Sequence, residues 1–195
     1  AAYFKTESDR LAARCLADIK TLEDWNVRKD KYRAQMYEML GLDPIPARTP
    51  LNATVTGKVQ HKDFEVWKVH YQSMPRLYVT GNLYVPKGLK KPVPTILYVC
   101  GHGRVKKDGV SYGNKVHYQH HGIWFARNGY VCLVIDTLQL GEIEGIHHGT
   151  YNHKMWWWNS RGYSSAAVEA WNCIRALDYL ETLNFVDKNR FGVTG

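Results

Sequence analysis

The chain has 195 residues, of which 45% are apolar, 23% are charged and 13% are aromatic, and its formal net charge is +8. This length supports one sizeable hydrophobic core but is short for two, and the composition is that of an ordinary globular protein. The 26 Lys and Arg residues form no tract of five or more, so no nucleic-acid-binding tail is indicated. No apolar run reaches the length of a membrane span, and no signal peptide is visible.

The first 50 residues are predicted to be helical. Apolar residues recur at helical spacing over 7–24, and a second helix is predicted over 27–40, where Gly41 ends it. Three prolines then break the helical pattern. We expect residues 1–50 to form an extension packed on a larger core, and 51–195 to be part of one domain.

After this extension the apolar period changes to two, which predicts strands. Alternating side chains predict strands over 52–60, 64–71 and 77–85. Residues 95–100 are almost continuously apolar, as expected for a strand buried on both faces, and residues 130–135 repeat this character.

Two helices, predicted over 114–128 and 165–183, separate these buried strands, and residues 190–195 form a last strand. Buried strands that alternate with crossover helices indicate an α/β fold, with a mixed, mostly parallel sheet and helices on both faces. The 27 residues 137–163 form a connection far longer than the usual βα loop of about 2–6 residues. Because it leaves the carboxyl edge of the sheet, we expect it to overhang a functional site there.

The four cysteines, Cys15, Cys100, Cys132 and Cys173, form no C-x-x-C pair, so they indicate neither a zinc knuckle nor a thioredoxin motif. We interpret them as small buried hydrophobic residues. A disulfide between two of them stays open, and they do not settle the compartment.

A glycine-containing segment, Cys100-Gly101-His102-Gly103-Arg104, follows one of the buried strands. Ligands of open α/β sheets bind beyond such strand ends. Glycines there leave backbone N–H groups unshielded, and these groups can hold an oxyanion that develops on an ester carbonyl. A plain βα turn is the alternative interpretation.

The long connection carries most of the other candidate residues. Trp156, Trp157, Trp158 and Arg161 are predicted to bind substrate, since Trp rings stack on sugars or line an acyl pocket. The alternative is that these Trp residues only anchor the loop. The same connection contains His147, His148 and His153, but their spacing matches no known zinc motif, so we predict no metal site.

Basic side chains follow the glycine segment. Arg104, Lys106 and Lys107 favour an acidic substrate such as a uronic acid ester, although a solvated loop explains them equally well.

The last residues, Gly192-Val193-Thr194-Gly195, are typical of the approach to a nucleophile elbow, G-x-S-x-G. Gly195 is then the first glycine of the elbow, and the serine is expected two positions further along.

Together these motifs resemble bacterial esterases of the α/β-hydrolase superfamily, in the acetyl-xylan-esterase-like, dienelactone-hydrolase-related group. The stretches that carry the resemblance are 83–86, 97–103, 129–131, 175–180 and 190–195. The resemblance implies that the backbone N–H of Arg104 is an oxyanion donor, that Gly103 belongs to the oxyanion loop and that His102 shapes it. It also implies that the serine, the acid and the histidine base follow Gly195, in a C-terminal half expected as a second chain or segment.

By this resemblance the protein is a serine-dependent carboxylic ester hydrolase that acts on an acylated carbohydrate or a small ester and needs no cofactor. The alternatives are a glucuronoyl or other uronic acid ester hydrolase and a catalytically inactive, carbohydrate-binding relative. The same group implies a secreted or periplasmic protein.

Overall fold

The structure, a computed structural model, describes residues 2–147, 149 and 153–195, and it leaves the side chains of Trp157 and Trp158 undescribed. The chain divides into two compact units, of which the first ends at Pro46 and the second begins at Ala47. The predicted packing of a helical extension on the core stays a prediction. No helix in the described ranges combines the length and the apolar character that crossing a membrane requires.

The first unit contains two helices, α1 (Ala2–Arg14) and α2 (Leu22–Leu40). A capping box begins α2, because the Thr21 side chain accepts from the Asp24 N–H at 3.1 Å and the Asp24 carboxylate accepts from the Thr21 N–H at 2.9 Å. The prediction of a single helix over 7–24 is therefore wrong, because the apolar period continues across the helix boundary that this cap creates. The predicted stop at Gly41, which has a φ of 75°, is confirmed.

The second unit contains the strands and the remaining helices. The strands are β1 (Thr54–Gln60), β2 (Phe64–Met74), β3 (Leu77–Pro86), β4 (Val93–Val99), β5 (Val105–Lys107), β6 (Val110–Gly113), β7 (Val131–Ile135) and β8 (Val186–Thr194). The helices are α3 (Asn114–His117), α4 (Gln119–Arg127), α5 (Trp157–Ser160) and α6 (Ser165–Glu181).

Six strands form one sheet in the order β1-β2-β3-β7-β4-β8. The pairs β1/β2, β2/β3 and β3/β7 are antiparallel, whereas β7 and β8 both run parallel to β4, which lies between them. The mixed sheet of an α/β fold is thus confirmed. Among the described strands, the parallel pairing is confined to β7, β4 and β8, so their carboxyl ends meet at one edge.

Both faces of the sheet are covered, as predicted. Leu133 belongs to a core completed by Ala176 and Leu180 of α6. Its neighbour Val134 belongs to the opposite core, which contains Ala126 of α4. All five residues of β7 are buried, which explains why this strand has no polar alternation in the sequence.

Three details differ from the predicted elements. The helix expected over 114–128 breaks at Tyr118, whose φ and ψ are −95° and 14°. The last strand begins at Val186, four residues earlier than predicted. The hairpin of β5 and β6 is absent from the sequence prediction, although its turn is Asp108-Gly109, a typical hairpin signal with positive φ values of 50° and 79°.

We expect Val134→Ala to lower the free energy of unfolding by about 2 kcal/mol, because it removes two methyl groups from a fully buried site and leaves a cavity. Val110→Ala is the matched control, since that side chain is 56% exposed, and it should change stability by less than about 0.5 kcal/mol. Urea unfolding of the two variants measures the difference, and equal losses would contradict the assignment of this core.

Candidate functional site

The residues 100–104, here called the glycine loop, follow β4 at the carboxyl edge of the sheet. The parallel partners of β4 end beside it, since Val99 pairs with Ile135 and Tyr98 pairs with Thr194. Open α/β sheets bind their ligands at this edge. The structure therefore brings the glycine loop and the end of β8 together.

Gly195 lies directly against β4. A Cβ atom on Gly195 would overlap the carbonyl oxygen of Val99, so this position has no room for a side chain. The close approach explains the glycine in physical terms and fixes the end of β8 next to the start of the glycine loop.

Two polar side chains hold the start of the glycine loop. Asn114 donates from Nδ2 to the Gly101 carbonyl oxygen at 2.9 Å and to the Thr137 Oγ1 at 2.6 Å. Thr137 donates from Oγ1 to the Cys100 carbonyl oxygen at 2.7 Å, and from its backbone N–H to the Asn114 Oδ1 at 3.0 Å. The carbonyls of two successive loop residues are thus bound to the first residue of α3 and to the connection after β7.

Aromatic rings from the break between α3 and α4 pack on the other end of the loop. The Gly103 N–H donates to the Tyr118 hydroxyl at 3.4 Å. A Cβ atom on Gly103 would overlap the His117 ring, so glycine is needed here for close packing. The sequence predicts the loop but not these contacts.

A buried ion pair lies beneath the loop. Lys115 is 3% exposed, and its Nζ lies 2.6 Å from the Asp136 Oδ2 and 2.6 Å from the Glu142 Oε1. The remaining Asp136 oxygen, Oδ1, accepts from the Lys115 N–H at 2.9 Å, and Oδ2 also accepts from the Thr80 hydroxyl at 2.6 Å. Sequence reasoning missed this pair. A carboxylate directly after a fully apolar strand was the available signal.

His102 is exposed, and its ring lies edge-on to His147, with 5.1 Å between the ring centroids. The Nδ1–H of His147 donates to the Leu138 carbonyl oxygen at 2.7 Å. Burial raises the pKa of the Glu169 carboxyl group on α6, and a smaller electrostatic interaction with His102 opposes that shift. These contacts place His102 at the border between the glycine loop, the long connection and α6.

The histidines of the long connection form no metal centre in the part of the chain that the structure describes. Within 2–147, 149 and 153–195, no group of three or more His, Cys, Asp or Glu side chains could hold a metal ion. His153 is exposed, and His148 lies outside the described residues.

The predicted substrate-binding residues lie on this same connection. Trp156 is 58% exposed, and Arg161 is also exposed. Trp157 and Trp158 begin α5, and their side chains lie outside the description. No hydrogen bond or ion pair between described residues joins Trp156 or Arg161 to the glycine loop, so their role stays a prediction.

Glu144 forms ion pairs with two of the three basic side chains predicted at the mouth. Its Oε1 lies 2.8 Å from the Lys106 Nζ and 3.8 Å from the Arg104 Nη1. Both pairs are solvent-exposed, so their energetic contribution is small. Their effect on charge matters more, because this acidic residue of the long connection offsets one of the three positive charges predicted for the mouth.

All four cysteines are free thiols, which answers the question of a disulfide. Cys100 and Cys132 are buried and Cys173 is half-buried, but Cys15 is exposed, so the interpretation of that residue as buried is wrong. Burial raises the pKa of Cys100 and of Cys132 to about 12, and that of Cys173 to about 11. The thiol of Cys100, the first residue of the glycine loop, is therefore neutral at neutral pH and unsuited to nucleophilic attack.

The sequence model of one family, described as the Abhydrolase family, matches residues 10–195. No curated protein matches the chain significantly.

Several solved structures share the fold at low identity. A Bacteroides fragilis protein, provisionally named an acetyl xylan esterase, is 16% identical with a TM-score of 0.70, and the match covers 90% of this chain and 48% of that protein. A methylesterase is 22% identical with a TM-score of 0.69, covering 98% and 40%, respectively. A glucuronoyl esterase from Solibacter usitatus is 19% identical with a TM-score of 0.61, covering 89% and 53%. The chain thus spans about half the length of these proteins.

We expect Asp136→Asn to destabilise the protein by about 3 kcal/mol, because it removes the buried one of the two carboxylates that contact the buried Lys115 ammonium. Asp187→Asn is the matched control, because the pair of Asp187 with Arg190 is exposed and should contribute little. Thermal unfolding distinguishes the two variants. An Asp136→Asn midpoint as high as that of the control would contradict a structural role for the pair.

A second prediction concerns thiol reactivity. At pH 8 iodoacetamide should alkylate Cys15 in the folded protein. Cys100, Cys132 and Cys173 should stay unmodified, because burial keeps their thiols protonated well above that pH. Peptide mapping after iodoacetamide treatment measures this, and the same reaction in urea is the control in which all four should react. Rapid native labelling of Cys100 would show that the edge of the sheet is open there.

Proposed function

This chain belongs to the Abhydrolase family, and from that premise we propose that the complete protein is a serine-dependent carboxylic ester hydrolase. The resemblance to the α/β-hydrolase superfamily that the sequence predicts is thereby confirmed. One observation carries the proposal further: the glycine loop and Gly195 lie together at the carboxyl edge of the sheet, on the adjacent parallel strands β4 and β8.

In the proposed mechanism, the residues after Gly195 form the elbow, and a serine two positions further on attacks the ester carbonyl. The backbone N–H of Arg104 holds the developing oxyanion, Gly103 lets the backbone approach it, and His102 shapes the loop. Collapse of the tetrahedral intermediate breaks the bond to the alcohol, which leaves with the proton that the histidine base took from the serine. Water then hydrolyses the remaining acyl-enzyme to the free acid and the free serine. The acid and the histidine base belong to the same following segment or second chain, because in this fold they come after the serine.

Acylated carbohydrate is the proposed substrate class. The names of the similar structures, which include acetyl xylan, glucuronoyl and methyl esterases, support it. Exposed Trp156 offers a stacking surface for a sugar ring, with Trp157, Trp158 and Arg161 beside it in the chain.

The ion pairs of Glu144 with Arg104 and Lys106 favour a neutral acylated sugar over a uronic acid ester, because the carboxylate offsets one of the three positive charges near the loop. A catalytically inactive carbohydrate-binding protein is the alternative from another class. Export to the periplasm or the medium is part of the proposal, supported only by the resemblance, and cell fractionation tests it.

The complete protein should hydrolyse p-nitrophenyl acetate, and replacing the serine expected two positions after Gly195 by alanine should lower kcat by about 10⁴-fold or more, since that serine is the nucleophile. Release of p-nitrophenol at 405 nm measures both rates. Retained activity in the alanine variant would disprove the nucleophile assignment, and a wild-type protein that binds xylan but hydrolyses no ester would support the inactive relative.

The substrate class is tested separately. Initial rates on acetylated xylan, on a methyl glucuronate ester and on the aryl acetate should favour the acetylated polysaccharide over the charged ester. A preference for the uronate ester would overturn the argument from Glu144.

A further inference from the structure

We propose that Asn114 and Thr137 are positioning residues that fix the geometry of the glycine loop for oxyanion binding. This inference rests on the proposed function, because it assigns the loop its catalytic task. It concerns two side chains that the sequence motif does not contain and that lie 13 or more residues from the carbonyls they hold.

The hydrogen bonds fix two successive peptide units. The Thr137 hydroxyl holds the Cys100 carbonyl at 2.7 Å, and the Asn114 amide holds the Gly101 carbonyl at 2.9 Å. Because the peptide bond is planar and trans, a fixed carbonyl also fixes the N–H group on the far side of the same plane. The two bonds therefore set the directions of the next two backbone N–H groups, those of Gly101 and His102.

The Gly103 N–H donates a longer, weaker bond to the Tyr118 hydroxyl at 3.4 Å. The path of the backbone into Arg104 is therefore constrained mainly by the two carbonyl anchors and, more weakly, at Gly103. Arg104 is the residue whose N–H the proposed mechanism uses, so the anchors act on the oxyanion donor through the chain and not by contact with substrate.

Asn114 and Thr137 also bind each other, which makes the device rigid. The Asn114 Nδ2 donates to the Thr137 Oγ1 at 2.6 Å, and the Thr137 N–H donates to the Asn114 Oδ1 at 3.0 Å. Asn114 is fully buried at the start of α3. Asn combines a donor and an acceptor in one planar group, so it can close this ring and still bind the Gly101 carbonyl.

The adjacent residues reinforce the same junction. Lys115 follows Asn114 in the chain, and Asp136 precedes Thr137. Lys115 and Asp136 form the buried ion pair at 2.6 Å. The start of α3 and the end of β7 are therefore joined by two neighbouring side-chain pairs, one neutral and one charged. Only the neutral pair contacts the carbonyls of the glycine loop, which separates its role from that of the ion pair.

The experiment uses the complete protein with Thr137→Val, which keeps the shape of the side chain and removes the hydroxyl. Thr137→Ser restores the hydroxyl as a rescue variant. Thr95→Val is the matched control, because Thr95 is buried, lies on β4 and bonds only weakly to the Val93 carbonyl at 3.4 Å, whereas Thr137 is half-buried. Asn114→Asp, which removes the donor to the Gly101 carbonyl, is the second test variant.

We expect Thr137→Val to lower kcat for p-nitrophenyl acetate by about 10- to 100-fold and to change KM by less than about 3-fold. The reason is that the displaced Arg104 N–H would bind the oxyanion of the transition state less well, whereas it does not contribute to binding of the ground-state ester. The inhibition constant of a trifluoromethyl ketone, which forms an oxyanion at the serine, should rise by a similar factor. Thr137→Ser and Thr95→Val should stay within about 3-fold of the wild type. Amide hydrogen exchange in residues 100–104 should accelerate in Thr137→Val and not in Thr95→Val.

The outcomes separate this inference from the proposed function. If the wild type hydrolyses the ester but Thr137→Val keeps its kcat, its ketone affinity and its exchange rates, the positioning role is overturned and the function stands. A loss of kcat that follows only the unfolded fraction, measured by thermal unfolding, also overturns it. If the wild type hydrolyses no ester, the proposed function fails and the catalytic role of the pair fails with it. Should Asn114→Asp not fold, Thr137→Val and its serine rescue decide the matter.

Discussion

The ion pair of Lys115 with Asp136 joins the start of α3 to the end of β7, next to Asn114 and Thr137, the two residues that hold the glycine loop. A charge buried to this degree carries a large desolvation cost, which only close pairing and further hydrogen bonds offset. Asp136 meets that requirement, since it accepts from the Lys115 ammonium, the Lys115 N–H and the Thr80 hydroxyl. An arrangement with so many partners has few alternatives, so it fixes α3 relative to the end of β7.

The shape of the glycine loop depends on this fixed arrangement of α3 and β7. It begins at β4, whose neighbours on both sides are parallel strands, and it leads into the hairpin of β5 and β6 before the chain reaches α3. A loop with two glycines has a large conformational entropy to lose. Asn114 and Thr137 supply hydrogen bonds from elements that are already ordered, so the cost of ordering is met by bonds to the loop backbone itself.

The sequence predicts what depends on neighbours along the chain. Local sequence pattern predicts the buried strands β4 and β7, the long helix α6 and the glycine turn after β4. Burial on both faces requires a continuous apolar run, and a sharp turn favours glycine, so both can be recognised in the sequence. The cap at Thr21 is also a local signal, which the apolar period over 7–24 outweighed, and the turn at Asp108-Gly109 is a local signal that the sequence prediction did not use. By contrast, Lys115–Asp136 and Asn114–Thr137 connect residues 21 and 23 positions apart, and no local pattern specifies such pairs.

The chemistry of the sheet edge limits which group can attack an ester there. Cys100 is the first residue of the glycine loop, but burial raises the pKa of its thiol to about 12, so the thiolate is scarcely populated at neutral pH. Lys115 is held by two carboxylates, and its ammonium has no lone pair to offer. Under the proposed function, the glycine loop supplies electrostatic stabilisation and no nucleophile. β8 brings Gly195 beside the Val99 carbonyl, at the start of that loop, and this is where the proposed mechanism places the nucleophile elbow.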